Sequence, residues 1–513
     1  MGNIKILDCT LRDGGYYTNW DFDESIVDQY IAATNILPVD YIEIGYRNKL
    51  QSNYMGKYGY CPIFELQGIR QKSCKKISVM INEKDFQLHD IETLLLPIIG
   101  LADMIRLAVA PEHFERAITL AKAIKECGFE VGFNVMYMSK WQEYTDFLAK
   151  IKKVNGIIDI FCMVDSFGSV SPKDVTEIYR SVKKELSCKI GFHGHNNLEM
   201  GLINSLTAIE NGVDCVDATI LGMGRGAGNL KTELLLTYLN KHHNYALDFN
   251  VLGDVITAFS DLLKQYEWGT NLPYMISGAN SLPQKEVMEW SSNRLYSFSS
   301  IVRALDNKKD NLPDNEKFPE LDCPVFDKVL IIGGGESAIK HRQGVKHLIE
   351  NNQSIAVIFS TARHIALYQE LDVPQYVCLV GTEGKRLITL TDKEKFHGKC
   401  ILPPYPRMMG TDVPDFVRQH TCELNSIEFA DTKYADSSTA IALQTALSMN
   451  AKNIYIVGYD GYKGNILSEK ETDLTNENRT LFTNFANFSG KQLISLTPTL
   501  YKELKTVSLY QLI

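Results

Sequence analysis

The 513-residue sequence has no apolar run near the roughly 18 residues that a membrane-spanning helix needs. It has no excess of positive charge: Lys and Arg number 53 against 62 Asp and Glu, a formal charge of −9. That balance argues against duplex binding and against a polybasic membrane-surface protein. Cysteine occurs 11 times, an odd number, and never in C-x-x-C spacing. A disulfide scaffold is therefore not expected, and thiols kept reduced are. Low-complexity tracts and internal repeats are absent. The start carries no secretory pattern, so a cytoplasmic location is the expectation. What is present is an ordinary globular composition, 45% hydrophobic and 22% charged. At about 150 residues per domain, the length allows two to four domains.

The first 230 residues alternate short apolar runs with helical patterns. Strands are expected at 4–8, 41–45, 76–81, 104–109, 130–136, 157–164, 189–193 and 215–221. Several are rich in Ile, Val and Phe, as strands buried on both faces should be. Between them lie amphipathic stretches such as 114–127, with Ala117, Leu120, Ala121 and Ile124 at helical spacing. Eight such units in a row predict a (β/α)₈ barrel, with a helical extension to residue 305. Residues 306–326 form a polar linker containing two prolines between 306 and 322. A second βα series, with strands at 328–332, 355–359, 376–380, 400–402 and 453–457, predicts a smaller Rossmann-like α/β domain over 327–513.

A barrel builds its active site at the C-terminal ends of its strands. The first strand runs into Arg12 and Asp13, the second carries Glu43, and the seventh ends in His193-Gly194-His195. The eighth leads into a glycine-rich loop that ends at Asn229. Residues two apart on an extended backbone point to the same side, so both imidazoles face one way. With Asp13 they make a three-ligand set for a divalent cation. Mixed N/O ligation without thiolate suits Mn²⁺ and accepts Mg²⁺, and Zn²⁺ also remains open. Arg12 adds a fixed cation for a carboxylate or an enolate oxygen, and Glu43 is placed to orient it. Asn229 is a ligand or a nearby donor. Cys9 reads as a small core residue rather than a nucleophile. Arg106 lines the barrel for an anion or makes a structural ion pair. Residues 266–274, aromatic and turn-rich, either cap the barrel mouth or form a packed inter-helix loop.

Residues 7–14 (LDCTLRDG), 191–197 (GFHGHNN) and 222–229 (GMGRGAGN) resemble, in order, the signatures of the DRE-TIM metallolyases. The surrounding sequence is most similar to the 4-hydroxy-2-oxovalerate aldolase branch, over roughly residues 1–300. The resemblance implies a metal bound by Asp13, His193 and His195. It implies that Arg12 binds the 2-oxo acid, with Glu43 as its acidic partner and Asp165 and Ser166 contacting substrate. The implied reaction makes or breaks a carbon–carbon bond between a 2-oxo acid and an aldehyde, through a metal-bound pyruvate-type enolate. Where the aldolases carry a catalytic His, three residues after the metal-binding Asp, this sequence has Tyr16. An unperturbed phenol titrates near 10 and is a poor base at neutral pH. The resemblance also suggests a homo-oligomer.

In the second domain, Gly333-Gly334-Gly335-Glu336-Ser337 follows a strand, as a phosphate-binding turn would, but matches neither G-x-G-x-x-G nor the P-loop. Residues 327–465 loosely resemble bacterial sialyltransferase-like and hydroxymethylpterin-diphosphokinase-like domains. That implies a nucleotide or nucleotide-sugar site near Gly334, Glu336, Ser337 and Asp460. The leading expectation is a metal-dependent aldolase fused to a nucleotide-binding or transferase module. A Claisen-type acyltransferase is one alternative. A non-catalytic regulatory barrel, with the second domain as the working module, is the other, and Tyr16 keeps it open.

Overall fold

A computed structural model describes the chain except for residues 1–3, 53, 293–297, 313–315, 323, 353, 408–410, 432–433 and 464–468. Part of the expected linker therefore lies outside the described residues. The chain divides into two compact units, Met1–Met288 and Glu289–Ile513. The division falls ahead of the 305 expected from composition. The helix Phe298–Lys309 belongs to the second unit, where Arg303 pairs with Asp412 at 2.5 Å.

The first unit is a closed parallel barrel with its strands in sequence order. They are β1 (Lys5–Asp8), β2 (Tyr41–Tyr46), β3 (Lys76–Asn82), β4 (Met104–Val109), β5 (Glu130–Val135), β6 (Ile160–Asp165), β7 (Lys189–Gly194) and β8 (Cys215–Ala218). The last strand is shorter than its apolar run, because the chain turns through a left-handed Leu221 (φ 54°) and Gly222 (φ 67°). Between β6 and β7, Ser171 caps the helix Pro172–Glu185 reciprocally with Asp174, and Pro172 opens it.

Side-chain alternation divides the strands cleanly. Ile42, Ile105, Phe133, Phe161, Phe192 and Val216 point out and pack under the helices. Their neighbours point in. Leu7, Cys9, Tyr41, Met104, Ile160 and Cys215 form an apolar floor across the barrel interior. One step further along the strands the inward residues become polar: Glu43, Ser78, Arg106, Asn134, His193 and Asp217, all buried.

The second unit is an eight-stranded, all-parallel sheet. Its strands are β9 (Lys328–Ile332), β10 (Ile355–Phe359), β11 (Gln375–Cys378), β12 (Lys399–Leu402), β13 (Thr421–Glu423), β14 (Asn453–Val457), β15 (Leu493–Ser495) and β16 (Lys505–Thr506). The spatial order is β13-β12-β11-β10-β9-β14-β15-β16, a doubly wound arrangement that reverses between β9 and β14. Only two to three residues long, β13, β15 and β16 are too short to leave a periodic signature. Toward the C-terminus the helix Glu469–Ser489 buries Leu481, Phe482 and Phe485 on an otherwise polar segment.

Phe161 is fully buried between the barrel wall and its helices. Phe161→Ala should lower stability by about 3–5 kcal/mol in chemical denaturation, whereas Phe64→Ala, at a residue 69% exposed, should change it by less than about 0.5 kcal/mol.

Candidate functional site

The polar layer closes into a ring. Arg12 bonds Asp13 through Nη1 and Glu43 Oε2 through Nε at 2.8 Å. Glu43 also accepts from Ser78 Oγ at 3.2 Å and pairs with Arg106 Nη1 at 3.3 Å. Arg106 continues to Asp217 Oδ2 at 2.5 Å and to Asn134 Oδ1 at 2.7 Å. Asp217 Oδ2 meets His193 Nδ1 at 2.9 Å, and His193 Nε2 faces Asp13 Oδ2 at 3.6 Å. The helix Thr10–Thr18 carries Arg12 and Asp13, while β2, β4, β7 and β8 supply the remaining ring members. Burial works against the charge of Asp217, but Arg106 and His193 outweigh it and hold the carboxyl down at about 2. Burial likewise opposes the charge of Asp13, and the Arg12 guanidinium, with the Asn229 hydrogen bond, keeps it below the usual carboxylate range.

This donor set fits a divalent cation. Each imidazole has its Nδ1 fixed, His193 by Asp217 and His195 by the Asp165 carbonyl at 2.7 Å. The Nε2 atoms are left to face inward. Burial, then the neighbouring His193, push His195 down to about 3, which keeps it neutral and able to donate a lone pair. His193 Nε2 and Asp13 Oδ2 face each other at 3.6 Å, a gap that a cation held by both would bridge. Asn229 donates to Asp13 Oδ2 at 2.6 Å, yet its own buried Oδ1 has no hydrogen-bond partner. The ring holds three carboxylates against two guanidinium groups. Cys9, Asp13 and His193 offer ligand atoms within 4.8 Å of one another, and the His193 and His195 ring centroids are 4.9 Å apart. The Cys9 thiol donates to Asp13 Oδ2 and the Ala218 carbonyl, and burial pushes its pKa well up, as expected for a packed thiol.

A cavity of about 80 Å³ opens above the ring. Its walls include Arg12, Asp13, Tyr16, Tyr46, Asn134, Ser166, His193, His195 and Arg225. Of the expected substrate residues, Ser166 faces this space. Asp165 turns away: its carboxylate accepts the backbone N–H groups of Ser169 and Val170, and burial pushes it up to about 7. Glu43 does not reach the cavity and acts by holding Arg12 and Arg106. Tyr16 does reach it, and its hydroxyl lies 3.1 Å from that of Tyr46. Asp217, Asn134, Tyr46 and Arg225 escaped the sequence reading. A lone acid between Val216 and Ala218 was the one legible sign of Asp217.

The 266–274 segment braces the rim. Trp268 Nε1 donates to the Leu221 carbonyl at 3.0 Å, Thr270 Oγ1 to Asn196 O at 2.8 Å, and Asn197 Nδ2 to Tyr274 O at 2.9 Å. The glycine-rich loop crosses itself at Gly228 (φ 80°), where a Cβ would meet the Gly222 carbonyl at 2.2 Å. No side chain fits there.

In the second unit, the four expected residues do meet at the switch point between β9 and β14. However, the Asp460 carboxylate itself accepts the Ser337 N–H at 2.9 Å and the Ser337 hydroxyl. Gly333 N and Gly335 N donate to Val457 O and Gly458 O, each at 2.8 Å. Glu336 is exposed, and the Gly334 carbonyl accepts from Arg363. An internal carboxylate thus occupies the anion position that a phosphate would need.

A closed parallel barrel with carboxylate, imidazole and guanidinium groups converging at one rim defines a (β/α)₈ protein built around a polar, cation-compatible centre. The HMGL-like family profile matches residues 105–260. The chain belongs to the HMGL-like family, and it is similar to 4-hydroxy-2-oxovalerate aldolases. That of Geobacillus genomosp. 3 is 33% identical over 257 residues, covering 46% of this chain and 71% of the relative. That of Pelotomaculum thermopropionicum is 30% identical over 275 residues, covering 51% and 78%. The crystal structure of the N-terminal domain of a candidate aldolase from Bacteroides vulgatus is 63% identical, with a TM-score of 0.56, covering 59% of this chain and all of that one.

Two outcomes follow from the contacts. Asp217→Asn, which weakens the hold on His193, should lower Mn²⁺ affinity by about 10- to 100-fold in calorimetric titration. Asp460→Ala should destabilise the second unit by about 1–3 kcal/mol in thermal or urea unfolding, because it strands the buried Ser337 donors.

Proposed function

We propose that this chain is a divalent-metal-dependent aldolase that joins or cleaves a 2-oxo acid and an aldehyde through a pyruvate-type enolate. The observation that carries this reading is the ring itself, which brings Asp13, His193 and His195 to a small cavity beside Arg12. Asp13 and the Nε2 atoms of the two imidazoles would hold Mn²⁺ or Mg²⁺, which when bound would polarise the 2-oxo acid's keto group. The chain's own groups do the rest. Arg12 holds a fixed positive charge where negative charge develops on the keto oxygen, and Glu43 keeps that guanidinium in one orientation. Asp217 and the Asp165 carbonyl fix both imidazole tautomers. The paired hydroxyls of Tyr16 and Tyr46 stand at the cavity wall. Burial pushes the Tyr46 phenol well above its ordinary range. Tyr46 therefore keeps its proton, and the hydroxyl pair serves as a proton donor to the aldehyde oxygen in condensation. In cleavage the hydroxyl pair takes up the proton of the substrate hydroxyl as it passes one of its own on to solvent, so that neither phenol is left charged.

The names of the curated relatives and the three motifs support this assignment. The second unit has the parallel sheet of ligand-binding folds, but its switch-point loop is closed by Asp460. We therefore assign the carbon–carbon chemistry to the barrel alone.

Metal analysis and pyruvate exchange test the reading. Purified protein should contain divalent metal that Asp13→Ala and His195→Ala lose. Methyl protons of pyruvate should exchange with deuterated buffer only when Mn²⁺ or Mg²⁺ is present, and Arg12→Lys should slow that exchange by about 100-fold or more. Unchanged metal content in both variants, or no metal-dependent exchange by the wild type, would sink the assignment.

A further inference from the structure

Two guanidinium groups line the cavity, those of Arg12 and Arg225. Arg12 is engaged by Asp13 and Glu43, and Arg106 beneath it by Glu43 and Asp217. Arg225 differs. Among the described residues its guanidinium has no hydrogen bond and no ion pair. It is half-buried and stands over the Tyr16 ring, 5.7 Å from the centroid. All five of its N–H donors are therefore open to an acceptor that enters the cavity.

The loop beneath it is rigid. Gly228 N donates to the Arg225 carbonyl at 3.2 Å, Asn229 N donates to Gly222 O at 3.0 Å, and the Tyr17 hydroxyl donates to Gly226 O at 2.8 Å. The side chain is therefore presented from a fixed base. Tyr16, beneath the Arg225 head, follows Asp13 by three residues on the same helix, so both ends of that helical turn border the cavity. The intervening walls carry Tyr46, Asn134, Ser166, Met80, Ala108, Met136 and Val164, all uncharged. Asp13 is the sole carboxylate among the lining residues, and Arg12 already engages it. The charged side chains on the lining are thus Arg12, Asp13 and Arg225, and the space between the walls is about 80 Å³.

We infer that Arg225 receives a second carboxylate, so that the substrate is a short dicarboxylic 2-oxo acid whose aldehyde-derived half is itself anionic. The guanidinium fork matches a carboxylate through two parallel hydrogen bonds. This rests on the aldolase reading for the chemistry of the first half of the substrate. The recognition of the second half is separable from it.

The test is calorimetric titration of the full chain, in the presence of Mn²⁺, with 2-oxoglutarate and with 2-oxopentanoate. These ligands have equal carbon number and differ in a terminal carboxylate against a methyl. The wild type should bind the diacid at least about tenfold more tightly. In Arg225→Gln that ratio should fall close to one, and Arg225→Lys, which keeps the charge but not the fork, should fall between. Equal affinities in the wild type, or a preference that survives Arg225→Gln, would overturn the inference. Pyruvate exchange by the wild type, measured alongside, separates the two readings. Exchange without a diacid preference removes the role of Arg225 and leaves the aldolase. A diacid preference without exchange removes the aldolase and leaves the anion receptor.

Discussion

Asp13, Arg12, Glu43, Arg106, Asp217 and His193 form a closed circuit of buried groups, and the upper half of the barrel is built around it. Each of these side chains alone would be expensive in the interior, because a buried unpaired ion costs several kcal/mol. With each guanidinium set between two carboxylates, neighbouring groups compensate one another. The circuit has one weak link, the 3.6 Å approach of His193 Nε2 to Asp13 Oδ2. That link lies beside the cavity, among the groups proposed to hold the metal.

The scaffold makes the circuit possible by separating layers. The apolar floor closes the barrel below, and the outward Ile, Val and Phe residues anchor each strand under its helices. The inward positions above the floor are then free to be polar. Small inward residues leave room for long ones: a Cβ on Gly132 would meet Arg106 Cγ at 3.0 Å. The rim loops are rigid in turn, pinned by Trp268, Thr270 and Asn197. The second unit uses the same parallel-strand geometry to the opposite effect. There a carboxylate from one strand end, Asp460, seals the loop of its neighbour.

Much of the first unit could be read from sequence. Strand positions followed from apolar runs, because strands buried on both faces have no polar alternation to blur them. Arg12, Asp13, His193 and His195 were visible because they sit in short local patterns whose geometry depends on a few adjacent residues. Asp217, Asn134 and Tyr46 were not, since each is a single polar residue inside a strand and its partner lies far away in sequence. The Asp165-Ser166 pair shows the limit. Adjacent residues point to opposite sides, and the turn after β6 decided that Ser166 faces the cavity while Asp165 binds the Ser169 and Val170 amides. The glycine-rich loop of the second unit shows the same limit, since its N–H groups were plain in the sequence and the acceptors of Gly333, Gly335 and Ser337 were not.

The sequence by itself determined the barrel, the succession of its strands, the charged motif after β1 and the histidine pair on β7. All of these depend on periodicity and short-range spacing. Tertiary structure alone decided that the charges close into a ring, that Glu43 bridges two arginines, and that Arg225 stands over Tyr16 with no ion pair among the described residues. Those facts depend on the barrel's curvature and on register between strands distant in the chain. No local pattern encodes which side chains end within hydrogen-bonding distance of one another.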